Sequence, residues 1–315
     1  METTFGAFLI LMSFGALWQF FPSLPDRAQI RSAMGSIVLH IFLPALSFHV
    51  LYHASLNAEL WLVPATSVVV CLSTLVAAWL VYRAIFCFLA GKLSSMSFGS
   101  LLLGSAWCNA TYLGLPTVTL LLGEDYAHIP ILYDLLAITP LLLTVGAGLG
   151  AFYGACNSKP DVRSLFLSIV QLPPLWAAVL GIVLNALDVP LPSALLSACK
   201  IASSAVAPMM IFSVGLSLRF SSPHLLVWIL PALILKLAFA PMVAYFTAQT
   251  LGLSGNTFAA TVLEAAMPTM VLTMVIADKF KLDSELLAQT IAATTLLSFL
   301  TLPLLWQWLQ SFGLL

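Results

Sequence analysis

Long apolar runs separated by short polar stretches cover almost the whole chain. Cutting these runs at charges, Pro/Gly clusters and polar stretches leaves ten segments. Each is close to or above the roughly 20 residues that a helix needs to cross a bilayer. The pattern therefore predicts an all-α polytopic membrane protein in which nearly every residue belongs to a transmembrane helix. The ten predicted spans are Phe5–Phe21, Met34–Leu51, Leu60–Phe88, Phe98–Leu122, Ala127–Tyr153, Ser164–Leu187, Pro192–Leu218, Leu225–Leu251, Thr257–Ala277 and Glu285–Phe312.

Basic residues lie in every second connection between these spans. The connections after the odd-numbered spans hold nine of them, whereas those after spans two, four, six and eight hold none, and those after spans two, four and six carry acidic residues instead. By the positive-inside rule, the basic connections face the cytoplasm. Both termini are therefore expected outside, in the periplasm if the membrane is an inner membrane. The basic residues are Arg27, Arg31, Arg83, Lys92, Lys159, Arg163, Arg219, Lys279 and Lys281, and the acidic ones are Glu59, Glu124, Asp125 and Asp188.

The composition leaves no room for a soluble domain. The chain is 61% hydrophobic and 7% charged, with a mean hydropathy of +1.07, whereas soluble proteins are about 25% charged. The net charge of −1 says nothing about partners, but the lack of a basic patch argues against a nucleic-acid partner, so the lipid bilayer is the expected surrounding. The five cysteines form no CxxC or Cys/His cluster, so they indicate buried apolar positions rather than disulfides or metal ligands.

Two apolar segments are interrupted by a similar short sequence. The first reads Gly114-Leu115-Pro116-Thr117 and the second Ala266-Met267-Pro268-Thr269, with the prolines 268 − 116 = 152 positions apart. A proline there breaks or kinks the helix, and broken backbone at membrane depth is tolerated where it is buried in protein or lines a cavity. A matched pair of breaks is the best sequence indication of a transporter's central site. The alternative is two ordinary proline kinks.

The ten spans divide into two sets of five. An odd number of spans makes the second set enter the membrane from the opposite side, so any repeat between them must be inverted. Residues 1–155 and 156–315 are therefore predicted to be two inverted repeats of one membrane-embedded unit. Pro44 in span two and Pro208 in span seven add a second pair of landmarks in the same order.

The sequences around the two breaks resemble motifs of the auxin efflux carrier family. Asn109–Pro116, followed by Gly123–Glu124, is similar to the family's fourth-span motif, and Glu264–Pro268 with Ala277–Phe280 is similar to its ninth span. The resemblance implies ten helices in two inverted repeats, with a mobile transport domain against a scaffold and with helices four and nine crossing at their breaks. It also implies a distant likeness to bile-acid sodium symporters. The short link at Asn157–Arg163 resembles the short bacterial members, so the auxin label says little about the substrate.

Candidate substrate-binding residues cluster at the breaks. The Asn109 amide, two turns before Pro116, both donates and accepts hydrogen bonds, although an inter-helix hydrogen bond is the alternative role. The threonines after the two prolines offer hydroxyls to a ligand or to freed carbonyls. The full set is Asn109, Thr111, Gly114, Pro116, Thr117, Ala266, Pro268 and Thr269.

Ionisable residues inside spans are costly and mark candidate coupling groups. Glu264 lies one turn before Pro268, where a carboxylate takes up a proton or coordinates Na⁺, or else forms a structural ion pair. Asp134 and Lys236 are coupling candidates too, with structural charges as the alternative. Lys200 lies nearer a span end, from which its stem can reach outward, and we interpret it as structural.

No catalytic or metal-binding pattern is present. The chain has neither a GxSxG nor an HExxH motif, so we expect no enzyme, no metal site and no cofactor beyond Na⁺ or H⁺ as coupling ion. The predicted function is secondary active transport, by alternating access at a midplane site, of a small organic solute that we take to be a carboxylate. A sodium-coupled organic anion symporter of the bile-acid type and a channel-like or scaffold membrane protein are the alternatives. Import or export, and monomer or homodimer, stay open.

Overall fold

The computed structural model describes residues 2–21, 23, 25–54, 61–88, 93–155, 167, 169–217 and 226–311. Within these residues all repetitive structure is helical and no strand occurs. Extended pairing among them is confined to an isolated antiparallel bridge between Cys108 and Thr269. The all-α class predicted from the sequence is therefore confirmed.

The described part of the first half contains nine α-helices. Some of them follow one another directly through π-helical turns, as at Val38–Phe42 and Asp134–Ile138, and so form longer rods. Their bounds are Glu2–Leu17 (α1), Arg27–Ile37 (α2), Leu43–His53 (α3), Leu62–Phe88 (α4), Ser95–Ala106 (α5), Leu115–Leu122 (α6), His128–Tyr133 (α7), Thr139–Leu141 (α8) and Ala147–Tyr153 (α9).

The described part of the second half contains eight more. A π-helical turn at Leu235–Phe239 joins two of them into one rod. Their bounds are Pro173–Ala186 (α10), Ser193–Ser204 (α11), Val206–Ser217 (α12), Leu226–Ile234 (α13), Ala240–Thr250 (α14), Gly255–Ala265 (α15), Thr273–Phe280 (α16) and Ser284–Ser311 (α17).

Six continuous helices are long and apolar enough to cross a membrane, which makes this a multi-pass membrane protein. They coincide with predicted spans two, three, five, seven, eight and ten. Shorter apolar helices occupy predicted spans one, four and six, and span nine is divided between α15 and α16. The ten-span arrangement as a whole stays a prediction. The six are Gln29–His53, Leu62–Ile85, Glu124–Tyr153, Ser193–Ser217, Leu226–Thr250 and Ser284–Ser311, and the shorter three are Gly6–Leu17, Ala110–Leu122 and Pro173–Ala186.

Several residues behind the orientation prediction lie outside the described part of the chain. They are Glu59, Lys92, Lys159, Arg163, Arg219 and the link at 157–163.

Large apolar side chains cover the outer surface of the helices. Ile10, Phe14, Phe152, Ile201 and Val227 are all more than half exposed. An apolar surface of this extent is unfavourable in water and is expected on a face that contacts lipid.

Glycines allow α1 and α12 to pack at backbone contact. A Cβ built on Gly215 would overlap the main-chain oxygen of Met12, and one built on Gly15 would lie 3.0 Å from the Cα of Gly215. Small residues at helix contacts are how membrane helices gain packing without a hydrophobic driving force. This close pair fixes the position of α12, which forms part of the wall of the cavity described below.

Two predicted spans are interrupted. The first interruption is Trp107–Asn109, between the end of α5 and a π-helical turn at Ala110–Gly114. The second is Ala266–Leu272, between α15 and α16, and it contains Pro268 as predicted.

The predicted break at Pro116 is wrong in position. Pro116 lies in the first turn of α6, and the first interruption ends 116 − 109 = 7 residues before it. Pro116 closely follows the π-helical turn, inside the continuous apolar helix Ala110–Leu122. The π-helical turn before α6 already departs from the regular hydrogen-bond ladder, so no further break is needed.

Candidate functional site

The two interruptions lie side by side and exchange main-chain hydrogen bonds. The N–H of Asn109 donates to the Pro268 carbonyl at 2.8 Å, and the N–H of Met270 donates to the Trp107 carbonyl at 3.0 Å. Main-chain groups released by the end of one helix are thus satisfied by the other interruption, as buried backbone requires. The structure brings together two segments that the sequence separates by about half the chain, and we name the place where they meet the crossing.

The threonine hydroxyls next to the prolines donate hydrogen bonds to main-chain carbonyls. Thr269 Oγ1 donates to the Gly104 carbonyl at 2.5 Å, and the Thr269 N–H donates to Thr294 Oγ1 at 3.2 Å. Thr117 Oγ1 donates to the Leu113 carbonyl at 2.7 Å. Of the two roles considered for these hydroxyls, the structure shows the bonding to carbonyls.

A cavity of about 590 Å³ lies beside the first interruption. This volume falls in the range of about 300–1,000 Å³ typical of small-molecule sites. The cavity extends from Asn109 and Asp134, which are buried, to Ser32 and Asp278, which are exposed, so it connects the crossing with one surface. Most of its remaining wall is apolar, and its lining includes Arg31, Tyr112, Thr139, Met210, Ser213, Met270, Val271 and Leu272.

Asn109 lines this cavity and carries an unsatisfied donor. Its side chain is 2% exposed, and its buried Nδ2 has no hydrogen-bond acceptor among the described residues. A buried donor without a partner costs about 1–3 kcal/mol, so the arrangement favours a ligand that accepts from it.

Asp134 lies in the same cavity wall with two hydroxyl partners. Thr111 Oγ1 donates to Asp134 Oδ2, and Thr139 Oγ1 donates to Oδ1 at 2.7 Å. Thr111 lies in the first turn of the helix that starts at Ala110, so the Asp134 carboxyl is held beside a helix N-terminus. That end of a helix favours negative charge.

Glu264 is packed against the crossing and away from the cavity lining. Its side chain is fully buried, and neither carboxyl oxygen has a hydrogen-bond donor. A Cβ built on Gly114 would overlap the Glu264 carboxyl group. Gly114 therefore provides the space that this carboxyl occupies.

Lys236 approaches the same region from the π-helical turn between α13 and α14. Its side chain is fully buried, and Nζ donates to the carbonyl of Ala265, the last residue of α15, at 2.9 Å. Lys236 and Asp134 are the charged groups that act electrostatically on Glu264. Lys200, by contrast, is exposed and acts on His49.

The predicted site residues thus divide between two neighbouring places. Asn109 and Asp134 line the cavity, and Thr111 reaches it through Asp134. Glu264 and Lys236 lie at the end of α15. The remaining predicted residues are buried and do not line the cavity: they are Gly114, Pro116, Thr117, Ala266, Pro268 and Thr269.

Sequence reasoning missed part of the cavity wall. Thr139 follows Asp134 by five residues, a spacing that brings both to one side of a helix containing a π-helical turn. Met210 and Ser213 come from α12 and carry no local signal that could have identified them. Within the described residues no group of three or more His, Cys, Asp or Glu side chains is placed to hold a metal ion.

The chain is similar to known membrane transport proteins. Residues 161–306 match a family described as "Membrane transport protein". The chain is 30% identical over 276 residues to an uncharacterized transporter of Methanothermobacter thermautotrophicus, covering 87% of each protein. It is 28% identical over 311 residues to an uncharacterized transporter of Methanocaldococcus jannaschii, covering 96% of each.

Proposed function

The chain belongs to the membrane transport protein family, that of the auxin efflux carriers, and from this premise we propose that it is a secondary active transporter. Its substrate is a small organic carboxylate, moved by alternating access past the crossing of the two interruptions. The single observation that carries the proposal is the cavity that leads from the surface to the unsatisfied amide of Asn109.

The lining of the cavity supports the choice of substrate. The Asn109 amide offers a donor to a carboxylate oxygen, and the segment Val271–Leu272 at the start of α16 lines the cavity as well. Helix starts carry partial positive charge and favour anionic groups. Apolar side chains such as Met210 and Met270 suit a substrate with an apolar body.

The interruptions support the larger architecture that we propose, which is ten helices in two inverted repeats. Broken helices that meet at the membrane midplane are the form in which transporters build their sites. The non-helical backbone of the two interruptions is hydrogen-bonded within the protein and borders the cavity. Non-helical backbone inside a membrane is tolerated only where it is buried in protein or lines a cavity.

The position of the cavity mouth supports an inward-facing state. Arg31 and Asp278 line the end of the cavity that opens to the surface, and both lie at or next to connections predicted to be cytoplasmic. Alternating access then requires a second state in which the same crossing opens to the other side.

Glu264 is the proposed coupling group, with Asp134 and Lys236 as its charged neighbours. A buried carboxyl with no hydrogen-bond donor is costly unless it is protonated, paired or bound to an ion. Glu264 lies at the end of α15, directly before the second interruption, so a change in the charge of its carboxyl acts on the backbone of that interruption.

Uptake by proteoliposomes tests the proposal. We expect accumulation of at least one labelled mono- or dicarboxylate from a panel when a pH or Na⁺ gradient is imposed. Asn109→Leu should lower uptake at least tenfold, because one lost ligand hydrogen bond of about 1.4 kcal/mol corresponds to a factor of ten.

Gln289→Met is the matched control, since Gln289 is another buried amide whose Nε2 lacks a partner and which does not line the cavity. Equal uptake by the two variants would contradict the site. Flux that only equilibrates the solute under every gradient would indicate a channel instead.

A further inference from the structure

The Glu264 carboxyl is fully buried without a hydrogen bond, although the chain supplies a buried ammonium group nearby. Both carboxyl oxygens lack donors, and the Lys236 ammonium donates to a main-chain carbonyl instead. A purely structural ion pair would be expected to join the two groups directly, because a buried pair gains most from direct hydrogen-bonded contact. The observed arrangement is different: the ammonium is bound to the helix end, and the carboxyl lies against Gly114 within electrostatic range of Lys236 but without a hydrogen bond to it.

The carbonyl that Lys236 binds is a place that favours cations. Ala265 is the last residue of α15, and the end of a helix carries partial negative charge. The preceding carbonyls are already used, since Val262 and Leu263 accept from the Ala266 N–H and Glu264 accepts from the Met267 N–H. The Ala265 carbonyl is thus the acceptor that the end of α15 leaves for another group.

In transporters with broken helices, the ends of half-helices and freed carbonyls coordinate the coupling Na⁺ or H⁺. Here the side-chain ammonium group of Lys236 occupies such a position at the end of α15. The other titratable groups near Lys236 are the thiols of Cys71 on α4 and Cys108 at the first interruption. Asp134 is the second charged neighbour of Glu264.

We propose that the Lys236 ammonium stands where a coupling cation would bind, so that this crossing is closed to Na⁺. Lys236 supplies the positive charge that Glu264 and the Ala265 carbonyl would otherwise draw from solution. Removal of the ammonium should therefore open a Na⁺ site made of these oxygens. The consequence for ion coupling rests on the proposed transport function: if this position is closed to Na⁺, the coupling ion is H⁺.

Thermal unfolding of the purified protein tests this without a substrate. The probe is Na⁺ itself, added as NaCl and compared with choline chloride at the same concentration. The wild type should unfold at the same temperature in both salts. Lys236→Met should unfold about 2–4 °C higher in NaCl than in choline chloride, because Na⁺ that binds the folded but not the unfolded protein raises the stability of the folded state.

Two further variants make the result specific. Lys200→Met removes an exposed lysine and should behave like the wild type. In Lys236→Met with Glu264→Gln, the carboxylate is gone and the Na⁺ response should disappear.

Na⁺ stabilisation of the wild type, or no Na⁺ response in a folded Lys236→Met variant, would overturn the inference. If Lys236→Met alone gives no folded protein, the double variant decides. Its recovery supports Lys236 as the charge partner of Glu264, since an unpaired buried charge is what destabilises, and its failure to fold overturns that role. Because the measurement is an unfolding temperature, a lack of carboxylate transport would count against the proposed function alone.

Discussion

At the scale of single residues, Gly114 shows how space rather than chemistry selects an amino acid. The carboxyl group of Glu264 occupies the volume that any Cβ at position 114 would need. The backbone there is ordinary right-handed helix, so glycine is not required for its conformation. It is required because a second helix places a side chain against it.

We therefore expect Gly114→Ala to lower the free energy of unfolding by about 1–3 kcal/mol, the usual cost of an inserted methyl group that forces neighbours to move. Gly148→Ala is the matched control, because a Cβ built on Gly148 meets nothing within 4 Å. That variant should be unchanged or more stable by up to about 1 kcal/mol, since alanine favours helix. Unfolding of both variants in the same detergent compares them, and equal stabilities would show that the two carboxyl oxygens do not lie against Gly114.

At the scale of elements, the sequence predicted some interruptions better than others. Pro268 was correctly expected in a break, because it lies in mid-span with no helix start before it. Pro116 was not, because the π-helical turn Ala110–Gly114 just before it accommodates the proline within a continuous helix. A proline marks a possible break, whereas the place where the helix stops depends on which other segment can satisfy its backbone.

The contacts of Lys236 could not have been predicted from sequence. Its hydrophobic neighbours mark it as a buried charge in a span, which the pattern does show. That its ammonium binds the Ala265 carbonyl depends on how α15 packs beside α14, a tertiary property with no local signal. The closeness of the Asn109 and Pro268 segments was expected only because transporter sites join matched breaks.

Thr269 ties the second interruption to α5, and this link gives an element-scale prediction. Its hydroxyl donates to the carbonyl of Gly104, one of the last carbonyls of α5, which lack partners within the helix. Thr269→Val should reduce the free energy of unfolding by about 1–2 kcal/mol.

Thr261→Val serves as its control, since Thr261 is equally buried but its hydroxyl bonds the Thr257 carbonyl within its own helix. Chemical denaturation of the two variants measures the difference. A loss in Thr261→Val as large as that in Thr269→Val would contradict a specific role for the link to α5.

At the scale of the whole molecule, the distribution of charge predicts how the protein lies in the membrane. The nine-to-zero division of basic residues between alternate connections predicts that both termini lie outside. A reporter fused after Leu315 that is active only in the periplasm should therefore be active, and one active only in the cytoplasm should be silent.

The same two reporters inserted next to Lys279 should give the reverse result, which controls for their expression. Cytoplasmic activity at the C-terminus would rule out the ten-span arrangement with both termini outside. If the reporters next to Lys279 were reversed as well, the cavity mouth near Asp278 would lie on the outer side.

The hydrogen bonds between the two interruptions also set an order for biogenesis. The N–H of Asn109 finds its acceptor only when Pro268 has been synthesised, 268 − 109 = 159 residues later. At about 5–20 residues per second, a ribosome needs roughly 8–30 s for that stretch. During that interval the newly inserted first half holds polar backbone at membrane depth without its final partner, so a nascent chain arrested before Pro268 should depend on the insertion machinery and be an early target for membrane proteases.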